Sequence, residues 1–507
     1  MAEPRAPRAP APFPAGLILL LWVSLAVAFV TQVGGEALDD FFITYRYAAN
    51  LAAGEGLVFN PGERVFGTTA PGLALLLAAL HVLTRIPIHW LGTVLTGLAL
   101  LATALVLLRE AAARGRLPEA LAGGTFLMAN TFLWGVHGAE THLVLACLLL
   151  AALVAERRPA AAGALAGWAV WLRPDALIGA GLLGALLLGR GRRQVIRYGT
   201  VLIAVGLVGA GLALAWFGEV LPQTWTAKRA AFGEAEGGLA GAVSSFWSAG
   251  APLLRRHLGE AWPLVIAAGL VGLWPIARRA GLPGRLLALD ALALALVYPF
   301  LGVTFAAWYV VPVMVAALYG LAFAVGAVAR RLAAFAPGRV ARAALALSVA
   351  ALLLAVPVRS IAPRAWRWYR GAENPLHHSG YRAAALWIRD HSRSSDSIGF
   401  VEVGTLAYYS DRTVADLMGL VTPRSTRYVL VGDLEGAFLD RPTELVLVRP
   451  GLEGLMGQIV GRPWFSRAYR QVLELDAGSH DWTVVYRRLE GAELPPPRPP
   501  RVEPQGG

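Results

Sequence analysis

Residues 15–30 read "AGLILLLWVSLAVAFV" and residues 38–64 read "LDDFFITYRYAANLAAGEGLVFNPGER". The first stretch carries no charge and, continued to residue 33, reaches the length of a membrane-spanning helix, about 20 residues. The second opens with two adjacent carboxylates, Asp39 and Asp40, at the point where such a helix leaves the bilayer. Arg5 and Arg8 precede the apolar run, as in a signal peptide, but "TQVGGEALDD" offers no small-x-small cleavage site. The run therefore reads as a retained first span.

The rest of the chain fits a polytopic membrane protein. Of 507 residues, 56% are hydrophobic and only 15% charged, with a mean hydropathy of +0.56; a soluble domain carries about 25% charge and 45–50% apolar residues. The net charge of +12 does not point to nucleic acid, because the basic residues sit in short clusters between apolar runs. The single cysteine, Cys147, lies within an apolar run and reads as a small buried hydrophobe.

Further apolar runs fall at roughly 70–84, 88–108, 120–135, 142–155, 160–172, 176–189, 198–217, 262–277, 286–301, 308–329 and 342–358. Arginine clusters follow every second run, at Arg109/Arg114/Arg116, Arg157/Arg158, Arg190–Arg197, Arg278/Arg279/Arg285 and Arg330–Arg342. With the N-terminus inside, all of them stay inside only if 70–84, which opens "TTAPG", is lateral or re-entrant. About eleven spans result, with the loops bearing Asp39/Asp40, Glu140, Arg173/Asp175 and Lys228/Arg229 on the external face.

After residue 358 the composition becomes mixed, with strand-like runs such as "SIGFVEV" and "ELVLVRP" among helical patterns. The expectation is a disordered N-terminus (1–14), a transmembrane domain (15–358) with a first external loop at 34–87, an external α/β domain (359–490) and a disordered proline-rich tail (491–507). Ionisable residues are nearly absent from mid-span, with Asp290 and His81 towards run ends. A transporter would need ligands near the midplane. Here the charged groups gather at one membrane face, as chemistry on a lipid headgroup requires.

If residues 39–52 form a helix, Asp39, Ile43, Arg46 and Asn50 share one face and Phe41, Tyr45, Ala48 and Ala52 another. That pattern suggests an amphipathic helix along the interface, with Asp39 towards Arg46 and with Tyr45 and Tyr47 at headgroup depth. One acid there could be a helix cap; a cap needs only one side chain, and two neighbouring carboxylates repel.

These residues resemble a known family. "DDFFITYRYAANLAAGEGLVFNPGERVFGTTAPG" resembles the first external loop of GT-C membrane glycosyltransferases related to the terminal arabinofuranosyltransferases of the actinobacterial cell wall. "HGAETHLVLACLLLAAL", "WLRPDALI", "FGEVLPQTWTAKRA" and "VEVGTLAYYSDRTVADLMGLVTP" are similar, in order, to further motifs of that family. "FGTTAPG" and "PQT" depart from its usual pattern. The resemblance implies an all-α polytopic membrane protein of the GT-C type, with juxtamembrane helices in the first external loop and a small external α/β C-terminal domain. It also implies transfer of one sugar, such as a pentofuranose, from a polyprenyl-phosphate donor to a cell-envelope glycan or glycolipid hydroxyl. Its place would be the external face of a bacterial plasma membrane, with no nucleic-acid partner.

On that reading Asp39 is the general base and Asp40 tunes it or binds sugar, with the choice between the two acids open. Arg46, Arg173 and Lys228 hold the phosphate, and Glu140, Asn50, His137 and Tyr309 contribute to substrate binding. His137 reads more readily as structural, and Trp308 and Tyr309 as belt aromatics that could pack on a sugar. Asp39, Asp40 and Glu140 could also hold a divalent cation, although no ligand spacing defines one. The rival readings are a lipid-linked-sugar flippase and a non-catalytic envelope glycan-binding protein.

Overall fold

Most helices of this chain are apolar all round, the pattern of segments buried in lipid or in a helical bundle. The computed structural model describes residues 15–34, 37–224, 227, 238–301, 305–336, 338, 340–345, 348, 351, 366, 379–476 and 482–500. The bundle comprises α1 (Ala15–Val33), α2 (Asp39–Ala52), α3 (Pro71–Thr84), α4 (Ile88–Ala112), α5 (Leu117–Ala129), α6 (Thr131–Gly135) and α7 (Thr141–Val154). It continues through α8 (Pro159–Leu172), α9 (Ala176–Leu188), α10 (Arg192–Phe217), α11 (Gly238–Leu258), α12 (Trp262–Arg279), α13 (Leu282–Val297) and α14 (Val311–Ala333). Proline in the first turn opens α3, α5, α8, α12, α13 and α14, where its missing N–H costs nothing.

Among the described residues five helices are long and apolar enough to cross a bilayer alone: Gly16–Val33, Ile88–Ala112, Arg192–Phe217, Leu282–Leu301 and Ala307–Ala333. Helices α11 and α12 form a pair bent by 95°, a broken span or a re-entrant loop. The other apolar helices, α3, α7, α8 and α9, have 13 or 14 residues and rise only about 20 Å each. A multi-helix membrane domain is thus present, while eleven crossings require the short helices to cross as well. The 70–84 segment is the short helix expected there, packed on α2, α4 and α8. The N-terminal 14 residues and most of the 342–358 run lie outside the described residues.

A glycine seam joins α12 and α14. A Cβ on Gly272 would stand 1.8 Å from the Gly320 carbonyl oxygen, and one on Gly269 2.4 Å from that of Ala317. Small residues let these backbones touch where lipid supplies no hydrophobic drive.

The C-terminal part is α/β, as expected. It contains α15 (Ser379–His391), β1 (Ser397–Phe400), α16 (Gly404–Ser410), β2 (Thr413–Asp416), α17 (Thr426–Val429), α18 (Leu434–Asp440), β3 (Leu445–Val448), α19 (Glu453–Val460), α20 (Pro463–Ala468), β4 (Tyr469–Asp476) and β5 (Trp482–Arg488). The sheet order is β2-β1-β3-β5-β4, parallel across β2, β1 and β3 and antiparallel beyond. Strand β3, "LVLV", is buried at every position, as a central strand covered on both faces must be. The proline-rich segment expected to be a disordered tail is held in place as far as residue 500. Arg498 reaches the carboxylates of Asp433 and Glu435, and its carbonyl accepts a bond from the Tyr428 hydroxyl at 2.9 Å.

Helix α2 joins the two parts. It packs on α3 and α4 below and on α16 above, and ten of its residues are buried. It does not lie open along an interface: Tyr45 and Tyr47 are both fully enclosed by the protein. The Tyr45 hydroxyl donates to the Gly138 carbonyl at 3.0 Å and that of Tyr47 to the Val65 carbonyl at 2.5 Å. On its polar face Asp39 and Arg46 meet the C-terminal domain and Asn50 meets the loop after α2.

Candidate active site

The acid pair begins α2, yet Leu38 occupies the N-cap position and no side chain caps the helix. Asp39 instead serves another helix. Its two carboxylate oxygens accept the backbone N–H groups of Thr405 at 2.7 Å and Gly404 at 3.0 Å, the first residues of α16. Only glycine fits at 404, since a Cβ would lie 1.9 Å from the Asp39 carbonyl oxygen. Burial pushes the Asp39 carboxyl up, more than these N–H bonds lower it, and the Asp40 charge adds to the rise. Asp40, by contrast, is only half-buried.

The C-terminal domain adds a third acid that the sequence reading passed over. Glu402, two residues before α16, feels the charges of both Asp39 and Asp40, and burial followed by Asp39 raises its carboxyl to about 7. Arg449, at the end of β3, meets it at 2.5 Å and lies 4.9 Å over the Tyr381 ring. Burial and like charge outweigh the arginine here. Glu402 lies inside the "VEVGTLAYYS" motif, its only signal in the sequence.

Arg46 and Asn50 do not join this group. Arg46 is buried with its guanidinium on Asp411 at 2.5 Å and on the Phe59 carbonyl at 3.3 Å. Asp39 therefore does not look towards it. The Asn50 amide donates to the Val58 and Phe59 carbonyls at 2.9 and 2.8 Å. Both residues fasten the loop after α2, and Arg46 also ties it to the C-terminal domain.

A second cluster forms where α7, α8 and α9 meet. Arg173 follows α8 in extended conformation, which aims its guanidinium at the starts of the neighbouring helices. It donates to Glu140 at 2.5 Å, to Asp175 at 2.7 Å and to the Tyr298 hydroxyl at 3.4 Å, and lies 5.1 Å over the Tyr309 ring. Tyr298 also donates to Asp175. Tyr309 stacks on Tyr298 at 4.4 Å and is buried, so it lines the interior and is not a belt residue. Trp308 likewise meets the edge of Phe41 at 5.3 Å. Phe41 directly follows Asp40, so an aromatic wall of Phe41, Trp308 and Tyr309 runs from the acid pair to Arg173.

A small cavity beside this wall is lined by Arg173, Asp175, Asp290, Thr141, Tyr298 and Trp308, among others. Asp290 is buried midway along α13 and not at a run end, so one acid does reach into the bundle. His137 is structural in its contacts: buried, with Nδ1 on the Trp134 carbonyl at 2.7 Å, and kept neutral by burial, which lowers its pKa to about 4. Among the described residues no three His, Cys, Asp or Glu side chains are grouped to hold a metal ion, so the Asp39–Asp40–Glu140 cation set does not form. Lys228 lies outside the described residues.

The whole architecture recurs in known structures. ArnT from Cupriavidus metallidurans bound to undecaprenyl phosphate matches with a TM-score of 0.59 and 16% identity, over 95% of this chain and 100% of that one. The oligosaccharyltransferase of Archaeoglobus fulgidus, in complex with Zn and sulfate, matches with a TM-score of 0.52 and 12% identity, over 92% of this chain and 72% of that one. The chain has the GT-C fold. Tethered to an acceptor peptide, the same archaeal enzyme gives a TM-score of 0.55 at 13% identity, over 92% of this chain and 73% of that one. At these identities the likeness is one of fold. Residues 368–490 match a family described as a domain of unknown function (DUF8728). No curated protein sequence matches the chain.

Proposed function

We propose that the protein is an integral-membrane glycosyltransferase that moves one sugar from a polyprenyl-phosphate donor to a hydroxyl of an envelope glycan or glycolipid. The observation that carries this reading is the division of labour at Asp39–Asp40. One acid is locked into α16 by two backbone N–H groups, and its neighbour is left half-buried at the start of an aromatic wall leading to Arg173. The fold match to a structure holding undecaprenyl phosphate supports a lipid-phosphate donor, and the motif resemblance favours a pentofuranose.

Asp40 is the general base, in place of Asp39. It takes the proton of the acceptor hydroxyl as that oxygen bonds to the anomeric carbon. The bond from that carbon to the phosphate oxygen breaks, and polyprenyl phosphate departs as an anion. Asp39 fixes the helix turn that aims Asp40. Glu140, Arg173 and Tyr309 form the wall against which the sugar sits. Arg173 already balances Glu140 and Asp175, so Lys228 is the cation assigned to the leaving phosphate. The site faces the exterior of a bacterial plasma membrane, with eleven crossings below it.

The test is turnover of a polyprenyl-phosphate pentose by the purified protein in detergent, with an envelope extract as acceptor. Transfer by the wild type and its loss in Asp40→Asn support the proposal. An Asp40→Asn enzyme with full activity would sink the base assignment. Lipid movement between liposome leaflets without any transfer would replace the enzyme by a flippase.

A further inference from the structure

At the opposite ends of α7 and α8 from Glu140 and Arg173, a groove opens between α8 and α10. Arg158, at the N-cap of α8, is 14 helical residues from Arg173, about 20 Å. The groove is open to its surroundings and is lined by Arg157, Arg158, Ala161, Ile196, Arg197 and Thr200, among others. All three arginines are exposed. Glu156, the carboxylate next to Arg157 in the chain, is taken by Arg190 at 3.0 Å. Among the described residues Arg157, Arg158 and Arg197 make no ion pair.

Two features separate this groove from an ordinary run of loop arginines. Its basic residues come from the α7–α8 turn and from α10 and line one concavity, whereas arginines that only set topology need no shared partner. Its mouth also continues into an apolar track. Helix α10 is the least buried of the long helices, and Ile196, Thr200, Ile203 and Leu207 follow one another along one stripe at helical spacing. Ile196, Ile203 and Leu207 are 53%, 61% and 67% exposed. Three arginines lining one groove beside an open apolar stripe match a phosphate on a hydrocarbon chain.

We propose that this groove binds an anionic phospholipid, its phosphate on Arg157, Arg158 and Arg197 and one acyl chain along Ile196, Ile203 and Leu207. Basic pockets between membrane helices take anionic headgroups in this way. The site is separate from the donor lipid's, at the other end of the bundle, and does not depend on the proposed reaction.

The test is native mass spectrometry of the full-length protein in detergent, titrated with palmitoyl-oleoyl phosphatidylglycerol or phosphatidylcholine. The wild type is expected to retain phosphatidylglycerol over phosphatidylcholine. Arg157→Gln/Arg158→Gln/Arg197→Gln should lose that retention by about tenfold or more, while Arg278→Gln/Arg279→Gln, which neutralises another helix end, should keep it. Ala161→Trp, which fills the groove without changing charge, should lose it too, so the result does not rest on the folding of one variant. Equal retention in the triple variant and in Ala161→Trp would overturn the proposal. So would stabilisation by inorganic phosphate alone that phosphatidylglycerol fails to exceed.

Discussion

Asp39 and Asp40 are chemically identical neighbours, and only their surroundings distinguish them. Asp40→Asn should reduce sugar transfer by about 10²–10⁴ with normal membrane levels, measured as turnover per mole of purified protein. Asp39→Ala should lower transfer less than Asp40→Asn does and cost about 0.5–2 kcal/mol of stability, because two N–H groups at the start of α16 lose their acceptor; thermal unfolding in detergent reads it. Arg173 is a different case. It is buried against Glu140 and Asp175, so Arg173→Leu strands two carboxylates and should cost about 3–5 kcal/mol. Adding Glu140→Gln should recover part of that loss in the same assay. Arg173→Lys should not substitute, since one ammonium cannot serve two carboxylates and a tyrosine in fixed directions.

Between elements, the decisive contacts are those where backbone meets backbone. Gly404 lets α16 rest on the first turn of α2, so Gly404→Ala should push the C-terminal domain off without altering any charge. The expected readout is a lower unfolding temperature of the intact protein in detergent, with a destabilisation of about 1–3 kcal/mol. How far such contacts can be read from sequence depends on their range. The helices and the strands β1 and β3 were legible because apolar runs and alternation are local. Glu140 and Arg173 stood out singly because each sits in a short motif at a helix end, but that Arg173 is balanced by Glu140 and Asp175 instead of standing open to a phosphate was not legible. The partners of α2 were not: periodicity separates its polar face from its apolar one but cannot say what covers either. Arg46 looked like a phosphate ligand because Asp411, which neutralises it, lies 365 residues away. Glu402 and Arg449 were missed for the same reason. Helix α11 escaped notice because Ser244, Ser245, Pro252, Arg255 and Arg256 interrupt its apolar character.

For the molecule as a whole, the junction of bundle and α/β domain carries a pH dependence. Glu402 is raised from an ordinary value near 4.5 to about 7 by burial and by the Asp39 charge. Below both values it is protonated whether the domain is docked or not. As pH rises from about 4.5 to about 7, the undocked form ionises first, so docking should weaken across that window and level off above it. Glu402→Gln should flatten the slope, followed as the unfolding temperature of the intact protein between pH 4 and 8. The clasp at Asp39 also has a consequence for synthesis. A ribosome makes the acid pair within the first tenth of the chain, whereas the amide groups that hold Asp39 emerge some 365 residues later. Until then a nascent chain carries a complete membrane anchor and an unfastened acid. Chains arrested before Thr405 should accordingly leave α2 open to cysteine labelling at position 40, and full-length ones should close it.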